Sequence, residues 1–243
     1  MFSVAMLAAM DQEVVINRRF RGPPNSGNGG YAAGVIAEGL EGTVTVALRA
    51  PPPLDKAMTL STDEESSRLT DGETLVGEAK LASLDLDVPE PPRFDVATEA
   101  THHFSGFESH IFPGCFVCGP ERQAEDGLRI FPGAVEGTDL VASPWVPDET
   151  LRAAGGEIDR RHVWAALDCP SYFALSGGPL ALLGRLTAQI DRLPEIGEPL
   201  VVIGWPQGID GRKLYSATAL VTTDGDVIAK AHTTWIEVDE LPV

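Results

Sequence analysis

Short apolar segments alternate with turns rich in Gly, Pro and Asp, and the same order of segments occurs twice. Gly42–Ser61 followed by Asp71–Val88 corresponds to Ala181–Trp205 followed by Asp224–Val238. In each pair, a predicted strand is followed by an Arg, a Pro that breaks the strand, a second predicted strand, and an Asp-Gly turn before a long strand. Because Asp-Gly between apolar runs is a strong hairpin signal, each pair indicates an antiparallel sheet. A repeat period this long indicates two duplicated units.

One apolar helix is predicted ahead of each set of strands. For Asn28–Leu40, Asn28 can cap the start and Gly39 can end the helix. The second helix lies within Arg161–Gly178, where Pro170 must kink or restart it and Gly177-Gly178 would stop it. Both helices are apolar nearly all round, so we expect them to be buried. The fold class predicted is α+β, with two tandem units, each a curved antiparallel sheet wrapped around one long helix.

The predicted domain limits follow from these segments. Residues 1–98 form the first unit, residues 99–126 form a crossover that contains a Cys-x-x-Cys turn, and residues 127–243 form the second unit. Within the second unit, Gly127–Phe131 is predicted to be the first strand.

Charge and composition narrow the function classes. The chain has 18 basic and 36 acidic residues, a net charge of −18, which argues against nucleic acid or an anionic membrane as the main partner. No apolar run reaches the roughly 18 residues of a membrane span, and the first residues lack the basic region of a signal peptide. Three cysteines suit a reducing compartment, so we predict a cytoplasmic protein.

The Cys115-x-x-Cys118 segment has three possible readings. A structural zinc needs four ligands, and His110, His103 or His102 could add to the two thiols. A redox pair is typically found at a helix start in a thioredoxin-like βαβ pattern. Pro-Gly before the pair and Gly-Pro after it are turn chemistry, so the favoured reading is a structural turn with small, buried, free thiols and no metal.

Three segments carry a resemblance to a known family. They are "NGGYAAGVI" from Asn28, "CFVCGPERQAEDGLRIFPG" from Cys115 and "VWAALDCPSYFAL" from Val163. In this order they resemble the helix start, the Cys-Phe-x-Cys-Gly segment and the central helix of PaaI-like and TesB-like members of the hotdog acyl-CoA thioesterase superfamily. The resemblance implies a double hotdog fold, a site between the two units and hydrolysis of an acyl thioester. Asn28 stands where histidine is usual in that family.

Asp168 is the sharpest catalytic candidate because it lies in an otherwise apolar helix, where a carboxylate is costly without a use or a partner. Thioester hydrolysis needs a base or a carboxylate nucleophile, and donors for the developing oxyanion. We expect Asp168 to be that base or nucleophile and the N–H groups of Gly30 and Tyr31 to be the oxyanion contact. The alternative is that Asp168 caps the segment starting at Pro170.

Other residues are assigned by the same reasoning. Asn28 and Gly29 are expected to bind substrate beside the oxyanion contact, while Thr187 and Thr234 are candidate hydroxyl donors, with strand packing as the alternative. Glu38 is more readily explained as solvated, His162 as a surface or cap residue, and His232 as a packed strand residue. Five arginines near the two helix starts could bind the phosphates of coenzyme A, or could be a solvated cluster: Arg18, Arg19, Arg21, Arg160 and Arg161.

These features predict an acyl-CoA thioesterase without a cofactor. The partner expected is acyl-CoA or a similar small acyl ligand, and unpaired edge strands suggest a homodimer. A non-catalytic binder of acyl-CoA or a lipid-like ligand is the main alternative. A hydratase is a weaker one, because it needs an Asp-His pair set to handle a β-hydroxyl.

Overall fold

The computed structural model describes residues 10–175 and 179–241. Within these ranges one antiparallel sheet contains 11 strands in the order β1-β3-β4-β5-β2-β8-β11-β10-β9-β7-β6. The strands are β1 (Met10–Val15), β2 (Val44–Leu48), β3 (Ala57–Thr62), β4 (Ser66–Asp71), β5 (Thr74–Leu81), β6 (Gly133–Ala134), β7 (Val141–Trp145), β8 (Ala181–Ile190), β9 (Leu200–Asp210), β10 (Lys213–Thr222) and β11 (Val227–Glu237).

The sheet has a mirrored order about its centre. Strands β2 and β8 pair there, with Val46 opposite Leu186. On one side follow β5, β4 and β3, and on the other β11, β10 and β9. Both predicted Asp-Gly hairpins are confirmed, since Gly72 (φ 59°) joins β4 to β5 and Gly225 (φ 94°) joins β10 to β11.

The helices are shorter than predicted. They are α1 (Gly29–Ile36), α2 (Phe94–Ala100), α3 (Arg160–Ala166) and α4 (Cys169–Phe173). Asn28 caps α1 as expected, because its side chain accepts the Tyr31 N–H. The prediction of one long helix in the second half is wrong. The helix stops after Ala166 and a new one starts at Cys169, with Pro170 in its first turn. The predicted stop at Gly177-Gly178 lies outside the described residues.

Gly127–Phe131 is not a strand, which corrects the sequence prediction. Arg129 has a left-handed backbone (φ 54°) that interrupts the extended run. The segment lies along the cysteine turn, where Leu128 N–H donates to Phe116 O at 2.8 Å and Ile130 N–H donates to Val117 O at 2.9 Å. The first strand after the crossover is therefore β6.

The segment that leads into the crossover packs on the second half of the chain. Leu86 and, from α2, Ala97 and Ala100 pack on the outer face of the second half against Val201 and Ile203 of β9. The predicted limit at residue 98 therefore falls inside a helix that packs on the second half. No helix among the described residues has the length and apolar character needed to cross a bilayer.

Helices α1 and α3 lie in direct contact on the inner face of the sheet. A Cβ added to Gly30 would come within 2.6 Å of Trp164 O and 3.0 Å of Ala165 Cα. A Cβ added to Gly34, one turn further on, would lie 2.8 Å from Arg161 Cα. Glycine at these two positions therefore permits a backbone separation that no other residue would allow.

Replacing Gly34 by Ala should destabilise the protein. Alanine favours a helix interior over glycine by up to about 1 kcal/mol, but overpacking against the α3 backbone costs about 1–3 kcal/mol. We expect a net loss of about 1–2 kcal/mol in the free energy of unfolding, measured by urea denaturation. Gly155→Ala is the matched control, because nothing lies within 4 Å of a Cβ there. Equal stabilities of the two variants would contradict the tight contact between α1 and α3.

Candidate functional site

Asp168 lies at the break between α3 and α4, facing the start of α1. Asp168 is 2% exposed. Oδ2 accepts two hydrogen bonds, from Asn28 Nδ2 at 2.8 Å and from the Gly30 N–H at 2.9 Å. Oδ1 is buried and has no hydrogen-bond partner among the described residues. One oxygen of the carboxylate is thus fixed by the first half of the chain and the other is left for chemistry.

The backbone at Asp168 is held from a third element. Its carbonyl oxygen accepts the Ser171 hydroxyl at 2.7 Å, and Ser171 Oγ in turn accepts Trp235 Nε1–H from β11 at 3.0 Å. The Asp168 side chain makes no capping bond to α4, so the capping alternative is wrong for this carboxylate. Sequence reasoning missed Ser171 and Trp235, because only the fold brings them to Asp168.

Burial controls the protonation of this carboxyl group. Desolvation raises the pKa of Asp168 to about 7, while the bonds from Gly30 and Asn28 oppose the rise. Such a group is ionised in a large fraction of molecules near neutral pH and is a stronger base than an exposed aspartate.

A cavity of about 550 Å³ opens onto Asp168. Its walls are mostly apolar and combine residues from both halves, including Phe112, Phe173, Leu183 and Trp235. Asn28, Gly29 and Asp168 supply polar groups along one part of the wall. A mainly apolar cavity with a few converging polar groups is typical of a binding site for a small molecule.

The predicted oxyanion contact needs correction. The Gly30 N–H already donates to Asp168, and the Tyr31 N–H donates to Asn28 Oδ1 at 2.9 Å. Neither is free as the chain stands, because the capping side chain and the buried carboxylate take them. Gly29 lines the cavity, and its N–H has no acceptor among the described residues. The first N–H of α1 is therefore the available donor.

Thr187 and Thr234 lie outside the cavity, so the structure does not bring them together with Asp168. Thr187 Oγ1 donates to Thr45 Oγ1 at 2.8 Å across the central β2–β8 pair. Thr234 pairs with Arg185 on β8 and lies between the buried residues Thr233 and Trp235. Both are strand residues, as the alternative reading held.

The predicted phosphate-binding arginines do not line the cavity, and the structure instead places Arg49 there. Several of the five have protein partners. Arg18 pairs with Asp55 at 3.1 Å, and Arg19 donates to the carbonyl oxygens of Glu125 and Asp126. The guanidinium of Arg21 lies against Gly114. Arg161 pairs with Asp159 and lies over the Tyr31 ring. Arg160 is the first residue of α3.

The three remaining titratable candidates lie in different surroundings. Glu38 is exposed and follows the end of α1, as expected. His162 is buried at 4% exposure among the rings of Phe20, Tyr31 and Phe116, so its prediction as a surface residue is wrong. His232 is partly buried beside the Tyr215 ring on β10, consistent with a packed strand residue.

The cysteine turn borders the same cavity. Cys115 and Cys118 are buried, and the fold adds Cys169, which follows Asp168 directly. Hydrogen bonds from the two neighbouring thiols hold the pKa of Cys115 well below its usual range, whereas burial raises the pKa of Cys118. The sequence pairs two of these thiols by spacing, but the third comes from a separate element.

The fold and site define a class of protein with two helices packed inside one curved antiparallel sheet. No family model and no curated protein matches the sequence. Solved structures do match. A hot dog fold protein of unknown function from Alicyclobacillus acidocaldarius has a TM-score of 0.56 at 12% identity, covering 100% of this chain and 96% of that one. The chain therefore has the hotdog fold.

Two further solved structures are similar to the chain. The tesB protein of Mycobacterium avium subs paratuberculosis has a TM-score of 0.56 at 12% identity, covering 94% of this chain and 92% of that one. A protein proposed as a thioesterase II from Thermobifida fusca YX has a TM-score of 0.60 at 13% identity, covering 93% and 91%. At such identities the likeness shows the fold alone.

The buried His162 predicts a pH dependence of stability. Desolvation lowers its pKa to about 4; Asp159 and Asp148 oppose that change, while Arg161 and Arg19 add to it. The unfolded chain, with a histidine pKa near 6.5, binds more protons between these values, so the contribution of His162 to stability falls as pH drops from about 6.5 to 4.

The raised pKa of Asp168 contributes with the opposite sign, so the His162 contribution is isolated by comparing wild type with a variant. We expect the difference in unfolding free energy between wild type and His162→Gln to change by up to about 3 kcal/mol over this range, measured by urea unfolding at each pH. The control His103→Gln alters an exposed histidine and should leave the slope unchanged. An identical slope in wild type and His162→Gln would refute burial of a neutral imidazole.

Proposed function

We propose that the protein is a thioester hydrolase acting on acyl-CoA or a related acyl thioester. The observation that carries this proposal is the buried Asp168 carboxylate, with one oxygen fixed and one unpartnered, beside an apolar cavity. Both the hotdog fold and the thioesterase names of similar structures are consistent with it. The acyl group would occupy the apolar cavity, with the thioester carbonyl at the end formed by Gly29 and Asp168.

In the base route, Asp168 Oδ1 takes a proton from water and the hydroxide attacks the thioester carbonyl carbon. The charge that develops on the carbonyl oxygen is stabilised by the Gly29 N–H. The C–S bond then breaks, and the departing thiolate takes the proton back from Asp168. In the nucleophile route, Oδ1 attacks the carbonyl carbon directly, the C–S bond breaks, and the thiolate leaves and is protonated by solvent; water then hydrolyses the acyl–enzyme anhydride. After a single turnover in heavy-oxygen water, label in the Asp168 carboxylate would identify the nucleophile route, because only there can water attack the aspartyl carbonyl of an anhydride.

Asn28 and Gly30 act as positioning groups. By occupying Oδ2 they fix the rotation of the carboxylate so that Oδ1 is the reactive oxygen. Asn28 can do this because its own Oδ1 is held by the Tyr31 N–H, which orients its amide nitrogen toward Asp168.

We further infer that the chain is a tandem pair of hotdog units with one complete site, the first unit ending before α2, which packs on the second half, rather than at residue 98. Asn28 and Asp159 cap the two inner helices, and isolated bridges Arg21–Gly27 and Arg152–Ile158 precede them in the same way. Nine residues after the caps stand Ala37 and Asp168. Only the second unit therefore supplies a carboxylate at this place. Cytoplasmic location and homodimerisation stay predictions.

A non-catalytic acyl binder is the second candidate. The observation that favours it is that the N–H groups of Gly30 and Tyr31 are already occupied, which leaves few oxyanion donors. A panel of acyl-CoAs separates the two functions, since a hydrolase releases free thiol and a binder shows only a thermal shift.

Asp168→Asn should reduce kcat by about 10³-fold, because an amide cannot accept the proton or act as nucleophile. The amide is close in shape, so circular dichroism and thermal unfolding should still show a folded protein. Thiol release from acyl-CoA measures the rate, and Glu38→Gln removes an exposed carboxylate as the matched control. Equal rates for wild type and Asp168→Asn would refute the proposed role.

Arg49 should contribute to recognition of the coenzyme A phosphates at the cavity. Arg49 lines the cavity, and its side chain pairs with Glu78 at 2.6 Å. Arg49→Gln is expected to raise KM about tenfold with little change in kcat, the loss of one charge-assisted contact. Arg160→Gln is the control and should leave KM unchanged. If Arg160→Gln raised KM and Arg49→Gln did not, the phosphates would bind at the arginines near the helix starts instead.

A further inference from the structure

Three cysteines from two separate segments meet beside the catalytic carboxylate. The sulfur atoms of Cys115, Cys118 and Cys169 all lie within 4.8 Å of one another, and each residue is buried. Cys115 Sγ and Cys169 Sγ are 3.8 Å apart although 54 residues separate them in the chain. Zinc–sulfur bonds of about 2.3 Å in a tetrahedron place neighbouring sulfurs about 3.8 Å apart. Small side-chain rotations would bring the third sulfur to the same spacing.

The Cys115–Cys118 turn has the form of a loop that presents two sulfurs to one point. Gly119 closes the turn with its N–H donated to Cys115 O at 3.0 Å. A Cβ at Gly119 would lie 2.5 Å from the backbone of Cys115 and of Pro113, so only glycine fits.

Hydrogen-bond donors also surround the sulfurs, as thiolates require. Asn28 Nδ2 lies 3.9 Å from Cys115 Sγ and 3.8 Å from Cys169 Sγ. His110 Nδ1 accepts the Phe112 N–H, so the neutral imidazole carries its proton on Nε2, which lies 3.3 Å from Cys118 Sγ. Each sulfur therefore has a donor aimed at it from outside the cluster. Outer donors of this kind orient and tune metal ligands.

We propose that Cys115, Cys118 and Cys169 bind one Zn²⁺ as three thiolates. Thiolate ligands select soft and borderline ions, and zinc takes such ligands in tetrahedral sites. Three protein sulfurs leave a fourth position for a ligand from the cavity that the cysteines line. The ion would join the crossover to the start of α4, next to Asp168.

The proposal does not depend on thioester hydrolysis, and its test is direct metal binding. Reduced full-length protein is loaded with Zn²⁺, freed of unbound metal by gel filtration and measured for zinc by mass spectrometry. We expect one zinc per chain. Loading with Co²⁺ should give a sulfur-to-cobalt charge-transfer band and the strong visible absorption of a four-coordinate ion.

Two variants separate this site from the hydrolase. Cys169→Ser should lose the zinc or bind it at least tenfold more weakly, whereas Asp168→Asn should keep one zinc per chain while losing turnover. Wild-type protein that stays metal-free after loading, or a cobalt spectrum without the thiolate band, would overturn the proposal whatever the variants do. Zinc that Cys169→Ser retains with unchanged affinity would also overturn it.

Discussion

The close contact between α1 and α3 is the constraint on which the site depends. Gly30 and Gly34 present backbone to the backbone of α3, and this places the start of one helix against the end of the other. The Gly30 N–H and the Asn28 amide reach Asp168 only at that separation. A larger residue at Gly30 would meet Asp168 Cβ at 2.5 Å and push the carboxylate away from both donors.

That contact also explains why a buried carboxylate is tolerated. Two donors on Oδ2 offset part of the desolvation cost of the carboxylate. The hydrogen bonds from Trp235 to Ser171 and from Ser171 to the Asp168 carbonyl fix the backbone. The unpartnered Oδ1 retains an unfavourable burial, which is the state of a group kept for chemistry rather than for stability. In the proposed tandem arrangement Ala37 stands in the place that corresponds to Asp168, so this burial occurs at one inter-helix site.

The sequence predicted the elements that depend on local signals. The Asp-Gly hairpins, the Asn28 cap and the restart at Pro170 follow from backbone preferences of single residues, and all three occur. Asp168 stood out because a carboxylate in an apolar helix is costly.

What local patterns could not reveal were contacts between distant segments. Asp168 and Asn28 accept the hydrogen bonds of the Gly30 and Tyr31 N–H groups, so the available donor at the start of α1 is the Gly29 N–H. Cys169 joins Cys115 only because α4 packs beside the crossover. The positive φ of Arg129, which ends the expected strand at Gly127–Phe131, has no signal in its side chain.

The most direct measurement is a double-mutant cycle of Asn28→Ala and Asp168→Asn, read by thiol release from acyl-CoA. Because Asn28 acts through the orientation of Asp168, its loss should reduce kcat in the wild-type background and have almost no effect once Asp168 is Asn. Independent, multiplicative effects of the two substitutions, or no thiol release by the wild-type protein, would contradict the account.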